Sequence, residues 1–384
     1  MHVYPEELGS SPFHLRCGNI FYFFSGFHVQ VFKGRRYDMK LFQCGNCSQV
    51  LHFENTRCVS CGFWVGFDSF ALRLVSFQTG ERSYCKNFQA GVCNWLLDPR
   101  SDSQFCKACE LNHYIPNLKS VDSHKGWREI EIAKHRLIYS LLRLGLPLQN
   151  KVNAPDTGIS FHFIDADQVV PEDAETTTGH DNGIITISID EADPAKREQA
   201  RLNMHERYRT LLGHLRHEVG HYYWDRIICH SPDRLNRFRA HFGDESADYS
   251  EALETYYQNG PKNNWNQQFI SAYASSHPWE DWAETWSHYL HLTDVMETAN
   301  ALGVSLNPHV APSENHLSMV ADVDPYLPIH FESFLQQAVA LTFAVNSLNR
   351  SMGQPDLYPF ILNTAVKRKL TFIHEVLKEV RGSF

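Results

Sequence analysis

The sequence predicts an α+β chain in which a small cysteine-rich module precedes a larger, mainly helical domain. Three observations predict it. Cysteines recur in spaced pairs between residues 44 and 109. Ile159–Ile164 and Gly183–Ile189 read as strands, by alternation or by β-branched content. Through most of the remaining chain, apolar residues recur at helical spacing.

Composition bounds the function. With 384 residues, 43% of them hydrophobic, the chain can bury a sizeable core in one large or two modest domains. A net charge of −9 argues against a nucleic-acid-coating protein. No run of 18 apolar residues occurs, so no membrane span is expected. Of the 10 cysteines, eight fall into metal-binding groups. That usage belongs to a reducing compartment, and the expected location is cytoplasmic.

Residues 1–38 fit nothing that follows. Ile20–Phe24 is apolar, Lys33-Gly-Arg35-Arg36 is basic, and Cys17 has no neighbouring cysteine. The order of a signal peptide is missing. Met39-Lys40-Leu41-Phe42 makes a natural start just before the first cysteine pair, so 1–38 is expected to be a non-native or disordered upstream extension.

The module spans 39–112. Cys44-x-x-Cys47 and Cys58-x-x-Cys61 are two knuckles with ten residues between them. Four thiolates so spaced close around one zinc with no open position, a structural zinc ribbon. Two disulfides are the alternative, which the compartment disfavours. Cys85, Cys93, Cys106 and Cys109 offer a second four-thiolate set with looser spacing, so one or two structural zinc ions are expected. Lysines and arginines of the module are nearly cancelled by its acids, from Glu54 to Glu110. A phosphate-tracking surface needs a basic excess, so the module reads as a docking or substrate-selecting element, with nucleic acid not expected as a partner.

The larger domain spans 113–384. Trp127–Leu144 reads as a helix closed by Gly145 and Pro147. Glu191–Arg201 is charged and helical. Tyr208–Ile228 contains no proline and carries Leu211, Leu215, Val219 and Tyr222 at helical spacing. On this helix sits His217-Glu218-Val219-Gly220-His221. Histidines four apart lie on one face and can grip one ion, and Glu218 beside the first can hold a metal-bound water. This is the motif of a zinc metallopeptidase. Gly220 costs helix stability, which implies a close neighbour. His214, one turn earlier, reads as a supporting or core residue.

A catalytic zinc takes three protein ligands and keeps one open position. The third is not on the same helix: a metzincin would need glycine at 224 and histidine at 227, where Trp224 and Ile227 stand. The best candidate segment is Tyr273–Glu284. A helix beginning at Pro278 puts Glu280, Glu284, His288 and His291 on one face, which could equally be a solvated polar face. Asp244 and Glu245, on helices predicted at Phe238–Ala247 and Tyr249–Tyr257, are rivals. Trp279, Trp282 and Trp286 read as core. Residues 297–325 read as irregular, and Phe331–Leu348 and Ile361–Val380 as amphipathic helices.

Here the residues carry a resemblance. Glu-x-x-Ala-Glu with a tyrosine seven residues upstream resembles the gluzincins of the lethal-factor type. The resemblance implies a zincin-like fold, with Glu280 as third ligand, Glu284 supporting a ligand histidine, and Tyr273 stabilising the oxyanion. More of the chain resembles the bacterial zinc-binding metallopeptidases with an N-terminal zinc ribbon. The stretches concerned are Cys44–Cys47, Gly91–Trp95, Thr178–Gly183, Tyr208–His214 and His277–Glu284. In zincins a strand bordering the cleft takes the substrate by strand addition. Residues 183–189 are the candidate here, with His180, Gly183 and Ile185 as substrate-binding residues.

The expected activity is hydrolysis of a peptide bond in a peptide or protein, with one catalytic zinc on His217, His221 and Glu280 and with Glu218 as general base. Two alternatives remain at this point: a binding or regulatory protein with a catalytically silent fold, and a zinc amidase acting on a non-protein amide.

Overall fold

The computed structural model describes residues 41–118, 120–165, 179–203, 209–309, 315–327 and 329–381. The extension expected at 1–38, Thr178 and Tyr208 lie outside them. The fold is α+β, and residues 38–384 group as one compact unit.

The module opens with two hairpins, β1 (Leu41–Gln43) with β2 (Val50–His52) and β3 (Trp64–Asp68) with β4 (Arg73–Phe77). Cys44 and Cys47 occupy the β1–β2 turn, and Cys58 and Cys61 a turn between the two hairpins; Ser48 and Gly62 take left-handed backbone there (φ 61° and 76°), so each turn doubles back on its thiols. Phe42, Phe53, Phe67 and Trp95 form a buried aromatic cluster beneath the hairpins.

The larger domain is built on a four-stranded sheet of order β5-β6-β8-β7: β5 (Asn112–Tyr114), β6 (Ser160–Ile164), β7 (Gly179–Asp181) and β8 (Ile184–Ser188). β5, β6 and β8 run parallel, and β7 is an antiparallel edge strand. Helix α1 (Val121–Leu144) starts a turn and a half before the predicted Trp127. Its polar first turns show no apolar period, but Ser120 caps them by accepting from Ser123 N. At its other end Gly145 (φ 72°) stops it as expected.

Helix α2 (Pro194–Asn203) precedes α3 (Leu211–Tyr223), which Thr210 caps by accepting from Gly213 N at 3.0 Å. The expected helix to Ile228 changes character: a π-helical turn, Trp224–Cys229, follows α3. Helix α4 (Pro232–Phe242) begins earlier than expected, at a Ser231 cap, and stops at Gly243. Helix α5 (Tyr249–Asn259) follows an Asp248 cap and buries none of its residues. Helix α6 (Pro278–Leu302) penetrates the stretch expected to be irregular and ends at Gly303. Beyond it, β9 (Ser305–Leu306) pairs with β10 (Met319–Val320). Helices α7 (Phe331–Ser351) and α8 (Thr364–Val380) close the chain.

The core lies where α3 packs on α6. Gly220 is the point of contact: a Cβ there would stand 3.0 Å from Ala283 Cα and 3.2 Å from the Trp286 ring. Trp282 Nε1 fastens the crossing by donating to Gly220 O at 2.8 Å. Trp282 and Trp286 are fully buried core residues, as expected. α8 packs on α4 and α6. There Lys369 reaches Asp281 Oδ2 at 2.6 Å, with both side chains buried.

Candidate metal and catalytic site

The helical repeat of α3 puts His217 and His221 one above the other on the side facing α6. Their Nε2 atoms lie 3.2 Å apart. From the first turn of α6, Glu280 brings Oε2 to 3.0 Å of His217 Nε2 and Oε1 to 3.5 Å of His221 Nε2. All three residues are buried.

Zinc fits this donor set. With bonds of 2.0–2.1 Å, tetrahedral ligand atoms stand about 3.3 Å apart, close to the 3.2 Å between the two Nε2 atoms and the 3.0 Å from His217 Nε2 to Glu280 Oε2. Glu280 Oε2 makes no hydrogen bond of its own, which is costly for a buried carboxylate oxygen that faces no cation.

A ring of supporting groups fixes these ligands. Glu284, one turn after Glu280, accepts from His217 Nδ1 at 2.8 Å and from the Ser271 hydroxyl at 2.6 Å. The acceptor on Nδ1 leaves Nε2 unprotonated for a metal. Trp279 is half-buried against the core, as expected, and also packs on His221 with ring centroids 3.9 Å apart, so it borders the site. The phenol of Tyr249 donates to Glu280 Oε1 at 2.6 Å.

Glu218 is buried beside the histidines, with Oε1 3.2 Å from His214 Nε2. His214 has a second carboxylate on its other nitrogen, Glu191 Oε2 at 3.5 Å, and Arg209 holds that glutamate at 2.7 Å. Burial disfavours the charged ring, but the two glutamates outweigh it and raise His214 to about 9. Burial also opposes the charge of Glu218, which His214 and the neighbouring histidines nonetheless hold down at about 2.

A cavity of about 440 Å³ opens on this arrangement. His214, His217, Glu218, Tyr273 and Glu284 line it, with further walls from 265–272 and 359–361. Tyr273 stands with its ring centroid 6.0 Å from that of His217. The rival ligands lie elsewhere: Glu245 pairs with Arg239 on the surface, and Asp244 caps the turn at Ser246.

The substrate-strand expectation needs correcting. β8 is paired along its length with β6 and over Ile184–Thr186 with β7, so among the described residues that stretch has no free hydrogen-bonding edge to offer. Ile185 is fully buried, and Gly183 (φ 81°) makes the tight turn between β7 and β8, where a Cβ would clash with Gly158 O at 2.4 Å. The edge strand is β7, one hairpin earlier. His180 lies on it, with its ring centroid 6.2 Å from those of His221 and Trp279, and burial keeps it neutral by lowering it to about 3.

The cysteine groups assemble as two clusters of free thiols. In the first, Cys44 and Cys61 lie 3.6 Å apart, as do Cys47 and Cys58; in the second, Cys93 and Cys106 lie 3.7 Å apart. A disulfide would hold sulfurs at about 2.0 Å, whereas thiolates on one zinc sit about 3.8 Å apart. The second cluster is wholly buried and rests on α1, where His135 Nε2 is 3.9 Å from Cys109 Sγ.

Tyr249, Trp279, Glu191 and Ser271 were not singled out as site residues from the sequence. Trp279 falls within the His277–Glu284 stretch, while Tyr249, Glu191 and Ser271 come from three other segments and fall in no recurring motif. Only the Asp248 cap, which fixes where α5 starts, was available as a local signal for Tyr249.

Comparison with known proteins agrees with this arrangement. Residues 123–376 match the family described as "Putative zinc-binding metallo-peptidase", and residues 41–120 match a zinc-ribbon domain. Uncharacterized proteins of Mycobacterium bovis and of two strains of Mycobacterium tuberculosis are 40% identical to the chain over 347 residues. Those matches cover 90% of this chain and 97% of each relative. No solved structure matches the chain.

Proposed function

The chain belongs to the zinc-binding metallopeptidase family matched by residues 123–376, and from that premise we propose that it hydrolyses peptide bonds at the site formed by α3 and α6. One observation carries the reading: His217, His221 and Glu280 converge within 4.8 Å beside a carboxylate, Glu218, that opens on the same cavity.

In this proposal His217, His221 and Glu280 hold the catalytic zinc. Bound there, zinc supplies Lewis acidity, polarising the scissile carbonyl and lowering the pKa of a water. Glu218 takes a proton from the attacking water and delivers it to the leaving nitrogen, so that the proton balance closes on one residue. His214 occupies one oxygen of Glu218 and leaves the other for that water. The Tyr273 hydroxyl donates to the oxyanion, a contribution of about 3 kcal/mol. The extended substrate adds to the outer edge of β7, alongside His180. Cys44, Cys47, Cys58 and Cys61 hold a structural zinc, and Cys85, Cys93, Cys106 and Cys109 a second.

The test has two stages. Zinc per chain is expected near three in the wild type and near two in the His217→Ala/His221→Ala variant. An internally quenched peptide library then compares wild type with Glu218→Gln, which is expected to keep its zinc and lose turnover. A double variant that stays folded and loses no zinc sinks the proposal, and so does Glu218→Gln with undiminished cleavage.

A further inference from the structure

Tyr249 stands at the metal site without belonging to any motif. It is the first residue of α5, and its hydroxyl donates to Glu280 Oε1 at 2.6 Å. Its ring meets His277 and Trp279 edge-on, at 5.3 Å and 5.6 Å between centroids.

The two oxygens of Glu280 are therefore unlike. Oε1 is engaged by a phenol, while Oε2 lies 3.0 Å from His217 Nε2 and makes no hydrogen bond. A carboxylate tethered through one oxygen cannot swing about its last torsion, and it presents the other oxygen in a fixed direction. The same hydroxyl also meets Tyr273. Asp248 caps α5 by accepting from Glu251 N at 2.8 Å, so the phenol is not needed for the cap. α5 buries none of its residues, so the hydroxyl does not seal a core. Tyr273 lines the cavity and Tyr249 does not, so Tyr249 touches the ligand directly and a substrate only through Tyr273.

We infer that Tyr249 is a positioning residue that holds Glu280 in its metal-binding orientation. The inference rests on Glu280 being a metal ligand, as proposed above. It makes zinc retention depend on a residue from a surface helix outside both ligand-bearing helices.

The experiment measures zinc affinity at the helix site by chelator competition in the full-length chain, with zinc retained by the His217→Ala/His221→Ala variant as the baseline. Tyr249→Phe keeps the ring and removes the hydroxyl. It is expected to weaken that site ten- to a hundredfold, the range for loss of an outer partner of a metal ligand, while the cysteine centres stay full. Tyr249→Ala separates ring from hydroxyl: wild-type affinity in Tyr249→Phe overturns the inference, whether or not Tyr249→Ala binds weakly. In a Glu280→Gln background, Tyr249→Phe is expected to add no further loss, and full additivity there also overturns it. If the wild type itself holds no zinc above the baseline, the metal assignment fails and the inference falls with it. Zinc held equally by wild type and Tyr249→Phe sinks the inference alone.

Discussion

His217 Nδ1 donates to Glu284 Oε1 across 2.8 Å, which ties a residue of α3 to the second turn of α6. The bond fixes both the tautomer and the plane of the ring. Glu284→Gln replaces an anionic acceptor with a neutral amide, and zinc affinity at the helix site is expected to fall ten- to a hundredfold. Equilibrium dialysis against buffered zinc checks this, and unchanged affinity would remove Glu284 from the site.

Gly220→Ala reverses the usual helix rule. In an open helix alanine gains about 1 kcal/mol over glycine. Here the added methyl meets Ala283 Cα at 3.0 Å, so α3 and α6 must separate, at a cost of about 1–3 kcal/mol. Urea unfolding of the zinc-loaded protein is expected to show a lower midpoint for the variant. A raised midpoint would mean that the crossing is looser than this contact implies.

Lys369 and Asp281 form a buried pair next in sequence to Glu280, the proposed third metal ligand. Burial holds Asp281 up at about 7 even beside the lysine, so Lys369→Met leaves a protonated carboxyl without its partner in the core, and a loss of about 1–3 kcal/mol is expected. The double variant Lys369→Met/Asp281→Leu removes both polar groups and should recover more than half of it. The decisive comparison is single against double variant in calorimetry. Equal melting temperatures would show that the unpartnered carboxyl is not what costs stability.

Glu191 sets an acid limit on stability. Burial pushes its carboxyl up, but His214 and Arg209 outweigh burial and hold it at about 2, below the ordinary 4.5. A carboxyl depressed on folding adds stability that is fully present above pH 4.5 and is lost as pH falls toward 2. Its contribution at pH 7 is about 3 kcal/mol. Glu191→Gln should be less stable than wild type at pH 7, and the gap should narrow by about 2 kcal/mol at pH 3. A gap that stays constant with pH would contradict the depressed value.

How much was legible in the sequence follows from the range of each interaction. The helix carrying His217 and His221, the cysteine knuckles, the stop at Gly145 and the need for a close neighbour at Gly220 all follow from spacing within about twenty residues. The start of α1 was misplaced because its first turns are polar and only the Ser120 cap marks them. β8 was given the work of an edge strand because strand order is a property of the sheet, and nothing within Ile184–Ser188 encodes who sits beside it. Trp279 looked like Trp282 and Trp286 by helical position, yet α6 turns it toward His221. Tyr249 and Glu191 stay invisible for the same reason: their partners lie 31 and 23 residues away, on elements whose packing no local pattern specifies.

The aromatic cluster under the hairpins does not end with the module. Phe53 and Phe67 meet Tyr139 of α1 at 5.5 Å and 5.8 Å, and Trp95 meets His135 at 5.1 Å. Glu54 and Arg136 close the rim above them. Cysteine module and helix therefore share one core, and neither presents a finished surface without the other. A recombination that traded this ribbon for another would leave Tyr139 and His135 facing water, so change on the ribbon's inner face has to be matched, substitution by substitution, along α1.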